Sequence, residues 1–189
     1  VRNGDQLEEK TMRKLLAYGL CLFLLTSCNS SEQKAEDPHH IKKANAVVNP
    51  TEGYKTWGNI TFTETKEGVQ IVANVQGLPA GKHGFHIHEF GDCSAPDASS
   101  AGAHYDPTHH KHGGPDDLDR HVGDLGNLEA NENGHALYER LDKTITLNGP
   151  NSIVGKSIVI HEDEDDFKSQ PAGNSGKRVA CGLILPLEE

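Results

Sequence analysis

The sequence predicts an all-β domain: eight antiparallel strands, closed as a barrel or packed as a sandwich, with two long functional loops. Three observations predict it. Apolar and polar residues alternate at period two in eight segments between residues 44 and 185. Twenty Gly and nine Pro among 189 residues supply frequent turn signals between those segments. Aromatics make up 5% and hydrophobics 34% of the chain, too lean a core for a large helical bundle.

The chain begins with a segment that is not part of this fold. Residues 1–11 fit no region of an export signal and read as an upstream extension, with Met12 the expected start. Arg13 and Lys14 then form a short positive region, and residues 15–25 an apolar run too short to span a bilayer as a stable helix. Leu25-Thr26-Ser27-Cys28 follows and resembles a bacterial lipobox, in which a peptidase cuts before a Cys that becomes lipidated. The alternative is an ordinary secretory signal with a fortuitous Cys. Residues 1–27 are therefore read as upstream extension and lipoprotein signal peptide. Residues 28–43 are polar and aromatic-free after lipidated Cys28, a flexible tether. Residues 44–189 form the domain.

The expected strands are residues 44–49, 56–65, 69–76, 83–88, 127–129, 135–141, Ser157–His161 and 179–185. Glu67-Gly68, Leu78-Pro79-Ala80-Gly81, Asn133-Gly134 and Asn148-Gly149-Pro150 supply turns between them. Residues 89–126 and 162–177 are the two long connections, and they hold ten of the thirteen Asp and five of the twelve His. Loops of that length in a compact domain are usually functional.

The formal charge of −10, from 18 basic and 28 acidic residues, excludes a general electrostatic grip on nucleic acid. Twelve His raise the question of metal. His86 and His88 stand two apart at a strand end and so leave it on one face. His104, His112, His121 and Asp124 follow in one long loop, and His161 closes a later strand. Imidazole suits copper and zinc, and three His with one carboxylate suit tetrahedral zinc. Of the four Cys, Cys21 falls in the signal segment and Cys28 at the lipidation site. Cys93 and Cys181 remain, and export makes a disulfide between them the default.

Longer motifs carry a family resemblance. Gly84-Phe85-His86-Ile87-His88-Glu89-Phe90-Gly91-Asp92 resembles the copper-site signature of copper/zinc superoxide dismutases. Gly173-Asn174-Ser175-Gly176-Lys177-Arg178-Val179-Ala180-Cys181-Gly182 resembles their C-terminal signature. Gly102-Ala103-His104-Tyr105-Asp106-Pro107, Lys111-His112-Gly113-Gly114-Pro115, Arg120-His121-Val122-Gly123-Asp124 and Val159-Ile160-His161-Glu162 lie in the family's order, and the resemblance covers nearly all of residues 41–186.

That resemblance implies an immunoglobulin-like Greek-key barrel and an exported enzyme of the bacterial, lipoprotein-like kind. It implies one copper per subunit on His86, His88, His104 and His161, and one zinc on His104, His112, His121 and Asp124, with His104 shared. Asp165 matches an aspartate that links a copper His to a zinc His. Cys93–Cys181 matches the family disulfide, although Cys93 directly follows Asp92, as in several bacterial members. The implied reaction is dismutation of superoxide to oxygen and hydrogen peroxide, protecting the cell envelope. Arg178 would seat the anion and His104 would carry a proton. His83 matches a bracing position, and His109, His110 and His135 match no ligand. A homodimer, a periplasmic or envelope location and membrane contact only through the N-terminal lipid complete the expectation. The segment from His161 to Arg178 is shorter than in many cytosolic members, with Ala172 where a Thr is often found. Lys168 is its only other cation before Lys177. A non-catalytic copper/zinc storage or delivery module is the alternative. A surface interaction protein on the same scaffold is a weaker one.

Overall fold

The structure is a computed structural model and describes Asp37 and residues 39–188. The expected signal segment, Met12 and Cys28 lie outside the described residues. Eight strands close a barrel: β1 (Lys43–Pro50), β2 (Trp57–Thr65), β3 (Gly68–Gln76), β4 (Gly81–His88), β5 (Asp124–Ala130), β6 (His135–Asp142), β7 (Ser157–His161) and β8 (Arg178–Leu183). A two-residue β9 (Leu185–Pro186) continues the last of them. The order around the barrel is β1-β2-β3-β6-β5-β4-β7-β8, with β8 and β9 returning to β1, and every pairing is antiparallel. β3 leads to β4 but lies beside β6, and β6 leads to β7 beyond β4. These two crossings are the Greek-key connections. Among the described residues the only helical turn is the 3-10 turn Ser99–Ala101, and no helix is long and apolar enough to cross a membrane.

Period two places the core. β3 turns Val69, Ile71, Ala73 and Val75 inward and leaves Gln70, Asn74 and Gln76 on the outside. Phe62, Phe85, Leu128 and Ile158 are among the fully buried side chains that fill the barrel. The connection 143–156 adds Ile145, Leu147 and Ile153 to that core. Ile41, at the far end of the expected tether, also packs against it, with its N–H and carbonyl both held by the Asn148 amide at 2.9 Å.

Two boundaries and one burial pattern differ from the alternation, each for a local reason. β5 starts at Asp124 rather than 127 because the register with β4 shifts between the pairs Gly84–Asn127 and His86–Asp124. The extra residue on β5 is a bulge at Leu125-Gly126, with Gly126 at φ 88°. Bulges re-aim side chains, and this one turns Asp124 beside His86 while Leu125 and Leu128, three apart, both stay in the core. The last strand is interrupted at Ile184, whose N–H donates to the Lys156 carbonyl while its own carbonyl accepts from Gly155. Finally, β4 is buried on both faces from His83 onward. Phe85 and Ile87 point into the barrel, whereas the opposite face is covered by the two long loops.

Candidate metal centre

The ends of β4 and β7 and the start of β8 present one outer face beneath those loops. His86 and His88 leave β4 on it, and His161 ends β7 opposite Arg178 of β8. Residues 103–105 run beside the end of β4, paired with it through one antiparallel bridge between His88 and His104. Glu89 N–H donates to Ala103 O (2.9 Å) and Tyr105 N–H to Ile87 O (2.8 Å), which brings His104 against His88. Gly123 N–H donates in turn to Tyr105 O, and Gly123 O accepts from Ile87 N–H. A Cβ at Gly123 would lie 2.2 Å from Ile87 O, so only glycine permits this approach. His121 and Asp124 follow directly from that contact.

Eight donor positions come together in two buried groups that share His104. The ligand atoms within each group lie within 4.8 Å of one another: His86, His88, His104 and His161 in one, His104, His112, His121 and Asp124 in the other. Hydrogen bonds fix which atom of each ring stays free. His86 Nε2 donates to Asp165 Oδ2 (2.7 Å), leaving Nδ1 with no partner. His88 Nδ1 donates to Gly102 O (2.9 Å), leaving Nε2 facing His161 Nε2 at 3.4 Å. His112 Nε2 donates to Asp165 Oδ1 (2.9 Å), and its buried Nδ1 makes no hydrogen bond although Asp124 Oδ1 is 3.0 Å away. His104 turns Nδ1 to Asp124 Oδ1 (2.7 Å) and leaves Nε2 unpartnered. His121 Nδ1 is 3.2 Å from the same oxygen.

An unpaired buried polar atom costs about 1–3 kcal/mol. Three such nitrogens, one or more in each group, point to cations as their partners. Four imidazole nitrogens suit tetragonal Cu(II), and three with a carboxylate suit a closed zinc site. The donor sets therefore fit the two metals, with His104 offering one nitrogen to each.

The electrostatics without metal divide the groups. Burial drives His86 and His88 well below the usual histidine range, with neighbouring imidazoles adding to it. Burial likewise lowers His104 and takes His161 down to about 3. Those four rings are neutral at physiological pH, as metal ligation requires. His112 goes the other way: burial opposes its charge, but the close carboxylates of Asp124, 3.0 Å from Nδ1, and Asp165, hydrogen-bonded to Nε2, raise it to about 9. For Asp124, burial opposes ionisation, yet contacts from His104, His112 and His121 hold its carboxyl well below the usual range.

With this geometry in place, comparison with known proteins is decisive. Residues 56–184 match the copper/zinc superoxide dismutase family. The chain belongs to that family. It is 45% identical over 156 residues to an extracellular superoxide dismutase [Cu-Zn] of Caenorhabditis elegans, covering 79% of this chain and 69% of the relative. Superoxide dismutase [Cu-Zn] 5 of Dictyostelium discoideum is 46% identical over 132 residues, covering 67% of this chain and 86% of the relative. An extracellular superoxide dismutase [Cu-Zn] of Drosophila melanogaster is 50% identical over 135 residues, covering 67% and 74%. Among solved structures, the clock protein EA4 is similar with a TM-score of 0.72 and 44% identity, covering 78% of this chain and 96% of that one.

The remaining expected residues of this dismutase-family chain fall around the two groups. Arg178 is half-buried and donates from Nη1 to Ala98 O and from Nη2 to Gly102 O, both at 2.6 Å. It lines an open cleft with His88, His104 and His161. Cys93 and Cys181 form a disulfide, against which Ala98, Ala101 and Val159 pack. His83 is off the metal face, its ring nitrogens turned to the carbonyls of His161 (3.0 Å) and Pro79 (2.9 Å). His110 donates to Arg120 O (3.1 Å) and His135 contacts Asn74 Oδ1 (2.8 Å), whereas His109 is exposed in the cleft lining. Asp163 and Glu164 are exposed, and Glu164 pairs with Lys82.

Two buried charges were missing from the sequence expectation. Arg120, 3% exposed, donates from Nη1 to the carbonyls of His121, Val122 and Asp124 and from Nη2 to Asp142 Oδ2 (2.6 Å). It thereby holds the turn that carries two members of the second group. The available signal was a lone Arg beside a His in a ligand-rich loop. Its partner lies on the far end of β6.

Proposed function

We propose that the chain dismutates superoxide, converting two superoxide anions and two protons into oxygen and hydrogen peroxide. One observation carries the reading: a buried His104 whose two ring nitrogens face two separate metal-ligand groups. Copper, when bound by His86, His88, His104 and His161, supplies the one-electron redox couple, and zinc on His104, His112, His121 and Asp124 supplies fixed charge. The rest is the work of the chain. Arg178 attracts the anion into the cleft and seats it with guanidinium donors not engaged by Ala98 and Gly102. His104 Nε2 takes up and gives back a proton, while its Nδ1 is turned to the zinc group beside Asp124. Asp165 fixes the tautomers of His86 and His112 together, so both present Nδ1. The test is metal stoichiometry, the Cu(II) EPR spectrum and superoxide decay on one preparation. One copper and one zinc per chain with fast decay is expected. Full metal loading without accelerated decay would establish the storage or delivery reading instead.

Export and anchoring belong to the same proposal. The two relatives named extracellular support export, and Leu25-Thr26-Ser27-Cys28 supports a lipid at Cys28 in a bacterial-type envelope or periplasmic setting. Residues 1–27 would be removed and residues 28–43 would tether the domain. Cys28→Ala should release the activity from membrane fractions, and a wild-type protein already free of lipid would end that part. Homodimer formation is supported by Val47, Leu185 and Leu187, apolar and exposed on β1, β9 and the C-terminal segment. Sedimentation of wild type and Leu185→Lys tests it, with loss of the dimer expected in the variant. A wild-type monomer at micromolar concentration would refute it.

A further inference from the structure

We propose that Gln170 is a positioning residue of the zinc group, holding the His112 peptide so that the ring presents Nδ1 to the metal. The inference rests on the zinc reading above and adds a residue that touches neither metal nor substrate. Gln170 Oε1 accepts from His112 N–H and Gln170 Nε2 donates to His112 O, both at 2.9 Å. The reversed amide would set donor against donor and acceptor against acceptor, so the orientation is fixed by the pair itself. The clamp joins two segments 58 residues apart in sequence.

The polar atoms of His112 are then accounted for except one. Its main chain is held at both ends by Gln170, and its ring Nε2 by Asp165 Oδ1 at 2.9 Å. Both partners come from the single connection 162–177. The next peptide N–H, of Gly113, donates to Asp124 Oδ2 at 3.1 Å. Only Nδ1 is left, buried and without a hydrogen bond. Gly173 closes the same contact. It sits at φ 64°, and a Cβ there would lie 1.8 Å from Asp165 Oδ1 and 2.7 Å from His112 Nε2. Gln170 thus fixes the backbone of a ring whose other end Asp165 fixes. With either gone, Nδ1 could swing off its line.

Outer groups that orient a metal ligand commonly change metal retention by about 10–100-fold. The experiment measures zinc release from the full-length zinc-loaded protein into excess chelator, alongside the visible spectrum with Co(II) in the zinc group. Gln170→Met keeps length and loses both hydrogen bonds, and should release zinc about tenfold faster with shifted Co(II) bands. Gln170→Glu keeps the acceptor but cannot donate to His112 O, and should fall between. Ser169→Ala is the control: it removes the Ser169 Oγ bond to Asp166 Oδ2 in the same loop without touching His112. It should stay within about twofold of wild type, with unshifted bands. Equal release from wild type and Gln170→Met overturns the proposal, as does equal acceleration by Ser169→Ala. A wild-type protein that takes up no zinc would overturn the metal reading instead, which the stoichiometry of the starting material reveals.

Discussion

His88 and Arg178 donate to the same oxygen, the carbonyl of Gly102, at 2.9 Å from Nδ1 and 2.6 Å from Nη2. One main-chain atom therefore sets both the free nitrogen of a histidine in the first donor group and the direction of the guanidinium beside it. The segment that carries this oxygen, with Ala98 O as the second acceptor for Arg178, lies between the disulfide at Cys93 and His104, which both donor groups share.

Arg178 retains donors beyond the two it gives to the carbonyls, and the anion-seating role proposed for it predicts an order of rates. Arg178→Lys keeps charge but loses the planar fork and should retain a sizeable part of the activity. Arg178→Ala should be slower, and Arg178→Glu slowest. Copper and zinc content should not change. A fully metallated Arg178→Glu protein as fast as wild type would remove Arg178 from the mechanism.

Reducing the Cys93–Cys181 bond should act twice. A cross-link between residues 88 apart contributes about 4 kcal/mol on the chain-entropy treatment, so the melting temperature should fall. Activity should also fall at temperatures where the protein stays folded, because Ala98 O and Gly102 O are no longer held in place for Arg178. Calorimetry and superoxide decay on reduced, alkylated protein check both. Unchanged activity in the folded, reduced protein would detach the disulfide from Arg178.

Arg120 and Asp142 form a buried charge pair, with their side chains 3% and 0% exposed. Removing one partner of such a pair leaves a buried charge uncompensated and typically costs about 3–5 kcal/mol. Arg120→Met should be destabilised by that amount and should also lose zinc readily, since three carbonyls of the ligand turn lose their donor. Denaturant unfolding and zinc analysis test this, and a loss below about 1 kcal/mol would show that the turn holds itself.

The contrast among these residues explains what could be read in the sequence. The two donor groups were legible because metal chemistry restricts residue type and strand geometry restricts spacing, as at His86 and His88. The barrel was legible from period two, and failed only where that period fails: at the Leu125-Gly126 bulge, which re-aims Asp124, and at Ile184. Gln170 left no local trace, and Arg120 only its place beside His121. Each acts on main-chain atoms, which any residue would offer, and each joins segments that meet only in the folded barrel.

The metal-free protein should be most stable near pH 6–7 and lose stability on both sides. His161, with its folded value near 3, binds fewer protons folded than unfolded between about pH 3 and the ordinary histidine value of 6.5. Stability from this ring, reinforced by His86, His88 and His104, is therefore lost as pH falls below 6.5. His112 behaves oppositely. Raised to about 9 between Asp124 and Asp165, it binds more protons folded than unfolded, so its contribution is complete below 6.5 and is lost as pH rises through 9. Zinc needs the His112 nitrogen deprotonated, so uptake at pH 7.5 should release about one proton from this site, and affinity should climb toward pH 9. Titration calorimetry of zinc into metal-free protein, in buffers of different ionisation enthalpy, measures that proton directly. His112→Ala should abolish the release along with tight zinc binding. Zinc uptake without proton release at pH 7.5 would mean that His112 is already neutral between its two carboxylates.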